Sequence, residues 1–142
     1  MTDTHQGSCF CGAVHFEARG APLDMGYCHC EDCRAWSGAP LAGWSLWPAD
    51  AVSVTQGEDR LGGHNRTGFS NRRFCAECGG AAFIQHPTLG LVDIPAGKLP
   101  SLDFAPSAHL NYASTRHPMR DGLPKLRDFP AEIGGSGETM AE

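Results

Sequence analysis

The stretch FSNRRFCAECGGAAFIQ, residues 69–85, places a C-x-x-C pair between two segments that favour β-strands. In a tight turn the sulfurs of Cys75 and Cys78 converge, and the following Gly79 and Gly80 permit the positive φ that such a turn often needs. The stretch therefore predicts a β-hairpin whose turn is pinned by a metal ion.

All seven cysteines of the 142-residue chain lie in three short clusters. They are the pair Cys9 and Cys11, the triplet Cys28, Cys30 and Cys33, and the pair Cys75 and Cys78. The number of cysteines is odd, and the N-terminal segment lacks the pattern of an export signal. Both observations argue against a disulfide framework. Thiolates at these gaps suit a soft tetrahedral ion, for which zinc is the expected metal. An iron–sulfur cluster is the alternative, although its usual cysteine spacings differ from these.

Seven thiols divide naturally into a site of four ligands and a site of three. The two pairs would form a closed structural site, whereas the triplet would hold a catalytic zinc with one open position. In the alternative division, two triplet cysteines join Cys9 and Cys11, and the remaining cysteines are unused. We expect the first division, and therefore two zinc ions per chain.

Composition points to a mainly β domain with few short helical turns. The chain contains 18 glycines and 10 prolines, which favour turns over long helices, and its 41% of hydrophobic residues allow a buried core. No apolar stretch approaches the roughly 18 residues that span a membrane. We expect a soluble, cytoplasmic protein without membrane contacts.

Hydrophobic alternation predicts where the strands lie. In AVHFEA, residues 13–18, Val14 and Phe16 share one face of a half-buried strand. Further strand candidates are residues 23–28, 41–47, 51–57, 90–97 and 109–114. Residues 31–38, EDCRAWSG, predict a helical turn that presents Cys30 and Cys33 on one face, and the polar residues 58–68 predict a loop. We expect one domain, residues 1–130, followed by a flexible tail, residues 131–142.

Three motifs resemble the glutathione-dependent formaldehyde-activating (GFA) family, which includes a centromere-protein-V-like branch. They are GSCFCGAV (7–14), CHCEDCRAWSG (28–38) and FCAECGGAAF (74–83), and the resemblance covers roughly residues 7–129. It implies a zinc-stapled β-tent fold of short antiparallel sheets, with the same division into a four-cysteine structural zinc and a three-cysteine catalytic zinc. The chain departs from many relatives at residues 116–119, RHPM, where those relatives carry Lys, Pro and Trp.

The resemblance also implies a carbon–sulfur lyase or synthase. In the reaction for which the family is named, the glutathione thiol adds to formaldehyde and gives S-(hydroxymethyl)glutathione. Beside the triplet, Arg34 would offset thiolate charge or bind a substrate carboxylate, although an ordinary surface arginine fits equally well. His109 is a candidate for substrate contact or proton shuttling, with a structural histidine as the alternative. His29 lies between two ligands but points away from them on a strand, so we do not expect it to bind metal.

Two other function classes compete with an enzyme. One is a structural zinc domain with a vestigial site, and the other is a zinc-ribbon-like module that binds protein or nucleic acid. The formal net charge of −5 opposes nucleic-acid binding, because phosphate contacts require a basic surface. A fourth position that is open to a small thiol would favour the enzyme. The sequence leaves the true substrate, the proton donor and the oligomeric state open.

Overall fold

The computed structural model describes residues 3–142, which form mainly β-strands, one helix and short 3-10 turns. The strands are β1 (Thr4–Ser8), β2 (His15–Arg19), β3 (Asp24–Cys28), β4 (Ala42–Pro48), β5 (Val52–Gln56), β6 (Leu61–His64), β7 (Asn71–Cys75), β8 (Ala81–His86), β9 (Leu91–Pro95), β10 (His109–Leu110), β11 (Lys125–Leu126) and β12 (Thr139–Met140). The helix α1 spans Glu31–Ser37. The predicted fold class is confirmed.

The chain divides into two compact units. The first comprises the chain up to Asp24 together with Ser45–Asp103, and the second comprises Met25–Trp44 and Phe104–Glu142. In the first unit, β1, β2 and β5 form a three-stranded sheet, and the end of β4 is followed in hydrogen-bonded order by β9, β8, β7 and β6. In the second unit, the order is β12, β11, β10, β3 and the start of β4.

The alternation in β2 places apolar side chains in the core of the first unit. Phe16 and Ala18 have no exposed surface, and the Phe16 ring meets the Phe83 ring edge-on at 5.5 Å between centroids. Val14 is also fully buried, but it packs against Cys9 and Cys75 instead. The face predicted from the sequence therefore supports both the main core and the cysteine cluster beside it.

The β-hairpin predicted for residues 69–85 is present. Strands β7 and β8 pair antiparallel, and within the turn the Gly79 N–H donates to the Cys75 carbonyl at 2.8 Å. Gly79 has φ +76°, whereas Gly80 is needed for a different reason. A Cβ at Gly80 would lie 2.9 Å from the Phe10 backbone nitrogen, so this turn and the first cysteine pair approach too closely for a side chain.

The second unit contains pairings that the resemblance did not imply. Strand β10 pairs parallel with β3, His109 opposite Tyr27 and Leu110 opposite Cys28, and it also pairs parallel with β11. Helix α1 begins after Cys30, whose side chain caps it, and it ends at Gly38 in a left-handed conformation, φ +72°. Both features bring short, irregular segments next to the cysteine triplet.

One predicted loop is wrong, because Leu61–His64 forms β6 and pairs antiparallel with β7. The two glycines of β6 interrupt the alternation of side chains that identifies a strand. A Cβ at Gly62 would lie only 2.7 Å from the Phe74 ring, so a glycine is needed there. Residues 139–140 form β12, which pairs with β11. The flexibility expected of residues 131–142 and the domain boundary at residue 130 both stay predictions. Within residues 3–142 no helix has the length and apolar character needed to cross a bilayer.

Candidate metal centres

Four thiols converge in the first unit. Cys9 and Cys11 follow β1, Cys75 ends β7, and Cys78 lies in the turn before β8. Their Sγ atoms all lie within 4.8 Å of one another, with 3.7 Å between Cys9 and Cys11 and 3.9 Å between Cys11 and Cys75. Cys9 and Cys75 are buried, whereas Cys11 is exposed.

This arrangement fits a tetrahedral zinc ion. Zn–S bonds of about 2.3 Å at tetrahedral angles place the sulfurs about 3.8 Å apart, and the Cys9–Cys11 and Cys11–Cys75 distances lie on either side of that value. Backbone N–H groups of Val14 and Gly80 donate to Cys9 Sγ and Cys78 Sγ, each at 3.3 Å, as is expected of sulfurs that carry negative charge. The four cysteines could therefore hold one metal ion.

The cysteine triplet forms a second cluster in the second unit. Cys28 ends β3, Cys30 is the N-cap of α1, and Cys33 lies in the first turn of that helix. Their Sγ atoms also lie within 4.8 Å of one another, and Cys30 Sγ accepts the Cys33 backbone N–H at 3.2 Å. Among residues 3–142, no Cys, His, Asp or Glu adds a fourth ligand atom to this group.

The electrostatics of the triplet also suit a cation. Hydrogen bonds from Cys28 and Cys33 lower the pKa of Cys30, whereas the neighbouring thiols raise the pKa of Cys28 and of Cys33. Three adjacent thiolates repel one another, and a bound metal ion would relieve that repulsion. The donor set therefore fits zinc in the triplet as well.

Asn111 contacts the triplet, although no sequence motif pointed to it. Its Nδ2 donates to Cys28 Sγ at 3.4 Å, and its φ of +54° is the only positive φ of a non-glycine residue within residues 3–142. Asparagine tolerates this conformation better than most residues do. The pairing of β10 with β3 decides which sulfur the amide reaches, so no local sequence signal could have identified the contact.

Arg34 lies beside the triplet but is tied to the backbone. Its Nη1 donates to the carbonyl of His29 at 2.8 Å and also to the carbonyl of Ser114. The guanidinium thus links the cysteine segment to the segment that follows β10. Its predicted contact with thiolate charge or with a substrate carboxylate stays a prediction.

His109 is fully buried, and both of its ring nitrogens are hydrogen-bonded. Nδ1 meets His29 Nε2 at 2.8 Å, and Nε2 meets Asp121 Oδ2 at 2.7 Å. On the far side of His29, its Nδ1 meets the Thr115 hydroxyl at 2.8 Å. These contacts suit His109 to positioning its neighbours, and its predicted contact with substrate or role in proton shuttling stays a prediction.

His29 is not among the residues whose ligand atoms form the cluster. Burial lowers the pKa of His29 to about 4, and the facing His109 acts in the same direction, so the ring is neutral near pH 7.

An ion pair anchors the other end of this arrangement. Asp121 Oδ1 accepts from Lys125 Nζ at 2.5 Å, and Lys125 Nζ also donates to Glu142 Oε2 at 3.2 Å. Burial alone would raise the pKa of Asp121, but the hydrogen bonds from Lys125 and His109 hold it below its usual range. Asp121 is therefore a carboxylate at neutral pH. Sequence reasoning missed Asp121, Lys125 and Thr115, because their roles depend on contacts across the unit.

Comparisons with known proteins agree with these features. A family model described as glutathione-dependent formaldehyde-activating enzyme matches residues 4–114. An uncharacterized lyase of Schizosaccharomyces pombe is 29% identical over 82 residues, a match that spans 58% of this chain and 58% of that relative. The crystal structure of a Rhodobacter sphaeroides protein has a TM-score of 0.57 at 23% identity and covers 69% of this chain and 90% of that chain, which shows a shared fold.

Proposed function

The chain belongs to the glutathione-dependent formaldehyde-activating family, and from this premise we propose that it is a zinc-dependent carbon–sulfur lyase or synthase. Its substrate would be glutathione or another small thiol, together with formaldehyde or a related carbonyl compound. The family and the relative named a lyase support an enzyme of the lyase kind. The seven free cysteines suit the reducing cytoplasm, where we place the reaction.

One observation carries the proposal: the triplet gathers three thiols and no fourth ligand from residues 3–142. Catalytic zinc sites keep a position for substrate, whereas structural sites are closed by four protein ligands. We therefore assign the catalytic zinc to Cys28, Cys30 and Cys33. The structural zinc is assigned to Cys9, Cys11, Cys75 and Cys78.

In the proposed reaction, the substrate sulfur forms a bond to the carbonyl carbon while the C=O π bond breaks. The oxygen takes up one proton and the thiol loses one, so the addition consumes no net proton. Zinc bound at the triplet would supply the lowered thiol pKa that makes a thiolate available at neutral pH. The protein itself must hold the ligands, temper their charge and orient the two substrates.

The residues around the triplet suit these tasks. Asn111 and the Cys33 backbone N–H donate to two of the three sulfurs, and these hydrogen bonds draw negative charge away from the ligands. The Arg34 guanidinium adds a positive charge next to Cys33 and joins the carbonyls of His29 and Ser114. The ligand segment and the segment after β10 are thereby held together.

The experiment is to follow the S–CH2–OH product of glutathione and 13C-formaldehyde by NMR, with zinc-loaded protein and without protein. We expect the protein to accelerate formation or breakdown of the adduct. Cys33→Ser should abolish the acceleration, and Glu31→Gln, an exposed position on the same helix, should retain it. If the zinc-loaded protein gives no rate above the uncatalysed reaction, with glutathione or with other small thiols, the proposal is wrong.

A further inference from the structure

Six polar side chains of the second unit form one continuous series of hydrogen bonds, which we call the buried polar chain. In order, they are Thr115, His29, His109, Asp121, Lys125 and Glu142. His29, His109 and Lys125 are at most 1% exposed, whereas Asp121 and Glu142 reach solvent. Burying so many polar groups is unfavourable unless every one of them is satisfied, so the order of donors and acceptors matters.

The order of donors and acceptors is fixed at the Lys125–Asp121 end of the buried polar chain. Lys125 can only donate, and the ionised Asp121 can only accept, so His109 Nε2 must carry a proton. In a neutral ring His109 Nδ1 then accepts, which requires a proton on His29 Nε2. His29 Nδ1 is left as an acceptor, so the Thr115 hydroxyl must donate to it.

We propose that Asp121, oriented by Lys125, sets the tautomers of His109 and His29 and thereby the direction of the Thr115 hydroxyl, in the segment that Arg34 ties to the cysteine triplet. Asp121, His109 and His29 are positioning residues in this scheme. No proton needs to move along the buried polar chain for it to act. Its effect on turnover rests on the function proposed above, whereas the tautomers themselves do not.

The consequence lies in the segment after β10, which Arg34 ties to the segment that carries the cysteine triplet. His29 sits between Cys28 and Cys30, and Thr115 follows Ser114, which Arg34 ties to the His29 carbonyl. Thr115 Oγ1 also accepts the His117 backbone N–H at 3.1 Å. With its own proton committed to His29, the hydroxyl offers the remaining lone pair only, so it can accept a further hydrogen bond but cannot donate one.

A single substitution should reverse the whole order. In Asp121→Asn, Lys125 holds the amide oxygen, which turns the amide NH2 toward His109 Nε2. His109 must then carry its proton on Nδ1, and His29 must also carry its proton on Nδ1. The Thr115 hydroxyl changes from donor to acceptor at His29, although no atom of Thr115 has been altered.

Imidazole 15N NMR of the zinc-loaded protein, labelled at histidine, measures these tautomers without any substrate. We expect Nε2–H at both His29 and His109 in the native protein, and Nδ1–H at both in Asp121→Asn. Asp103→Asn, an exposed position of the first unit, is the matched control and should leave both tautomers unchanged. Native rings with Nδ1–H, or either ring carrying both protons at neutral pH, would overturn the proposal even if Asp121→Asn failed to fold.

Kinetics provide the second arm. If the proposed reaction occurs, Asp121→Asn should lower kcat by about 10–100-fold with metal content retained, and Asp121→Glu should recover part of the loss. A change of tautomers without any change in kcat would leave the network intact but remove its part in turnover. A protein that lacks lyase activity altogether would sink the proposed function, and the NMR measurement would still decide the tautomers.

Discussion

At the scale of single residues, Lys125 is a buried charge that several partners surround. Lys125 has no exposed side-chain surface, and its ammonium donates to Asp121, to Glu142 and to the Leu123 carbonyl. Removing one partner of a buried pair leaves the other charge without compensation, which generally destabilises more than the pair itself contributed. The position is therefore a sensitive one.

We predict that Lys125→Met lowers the free energy of unfolding by about 3 kcal/mol. This value is at the lower end of the range for breaking a buried ion pair, because Asp121 and Glu142 remain partly hydrated. Urea unfolding monitored by circular dichroism measures the change. The only other lysine, Lys98, lies in the first unit at a half-buried position, and Lys98→Met should cost less than about 1 kcal/mol. Equal losses in the two variants would contradict the role assigned to the ion pair.

Arg34 tests how the substrate is recognised. We predict that Arg34→Ala weakens binding of a thiol that bears carboxylates about tenfold more than binding of mercaptoethanol, because the guanidinium would pair with a carboxylate. Calorimetry on the zinc-loaded protein, with exposed Arg66→Ala of the first unit as the control, gives both affinities. Equal losses for both thiols would confine Arg34 to its backbone contacts with His29 and Ser114.

At the scale of elements, the β7–β8 hairpin and helix α1 depend on their cysteines to different degrees. Cys75 is fully buried at the end of β7 and packs against Cys9 and Val14. Cys33 belongs to a seven-residue helix that contains no buried residue. Loss of a ligand from the first cluster should therefore damage the core, whereas loss from the second should not.

We predict that Cys75→Ser fails to fold, since structural zinc contributes folding free energy of about 10–16 kcal/mol in small peptides. Cys33→Ser should lose only the triplet metal and keep its β circular dichroism spectrum. Metal analysis alongside the spectra separates the two outcomes. Soluble Cys75→Ser protein that melts cooperatively with unchanged zinc content would contradict this division.

At the scale of the whole molecule, the two candidate metal centres belong to different compact units. Each unit supplies all the cysteines of its own cluster, so each metal should have its own affinity. The four-cysteine cluster has two buried members and four candidate ligands, whereas the triplet gathers only three ligand atoms from residues 3–142.

We predict two zinc ions per chain at full loading, released by a chelator in two steps with the triplet zinc first. Binding of a small thiol should protect that zinc, and its affinity should fall as the pH is lowered, because protons compete with the metal for the thiolate. Zinc-indicator titrations across the pH range measure both effects. Simultaneous loss of the two ions at all pH values would show that the sites are coupled.

The sequence by itself determined the parts of this protein that depend on local spacing. Cysteines one or two residues apart lie close together whatever the rest of the fold, so the two clusters could be predicted from the sequence alone. Alternation in residues 13–18 and the turn at Gly79 are equally local, and both are confirmed. Strand β6 was not predicted, because its two glycines remove the alternating side chains on which the prediction depends.

Only the tertiary structure decided what surrounds the triplet. His29 and His109 are 80 residues apart in sequence, and Asn111 is 83 residues from the sulfur to which it donates. No periodicity records such pairs, because they arise from the parallel alignment of β10 with β3, and a shift of register by one residue would turn those side chains to the other face. The candidate ligands can therefore be identified from local sequence spacing. The residues around them come together only when β10 pairs with β3.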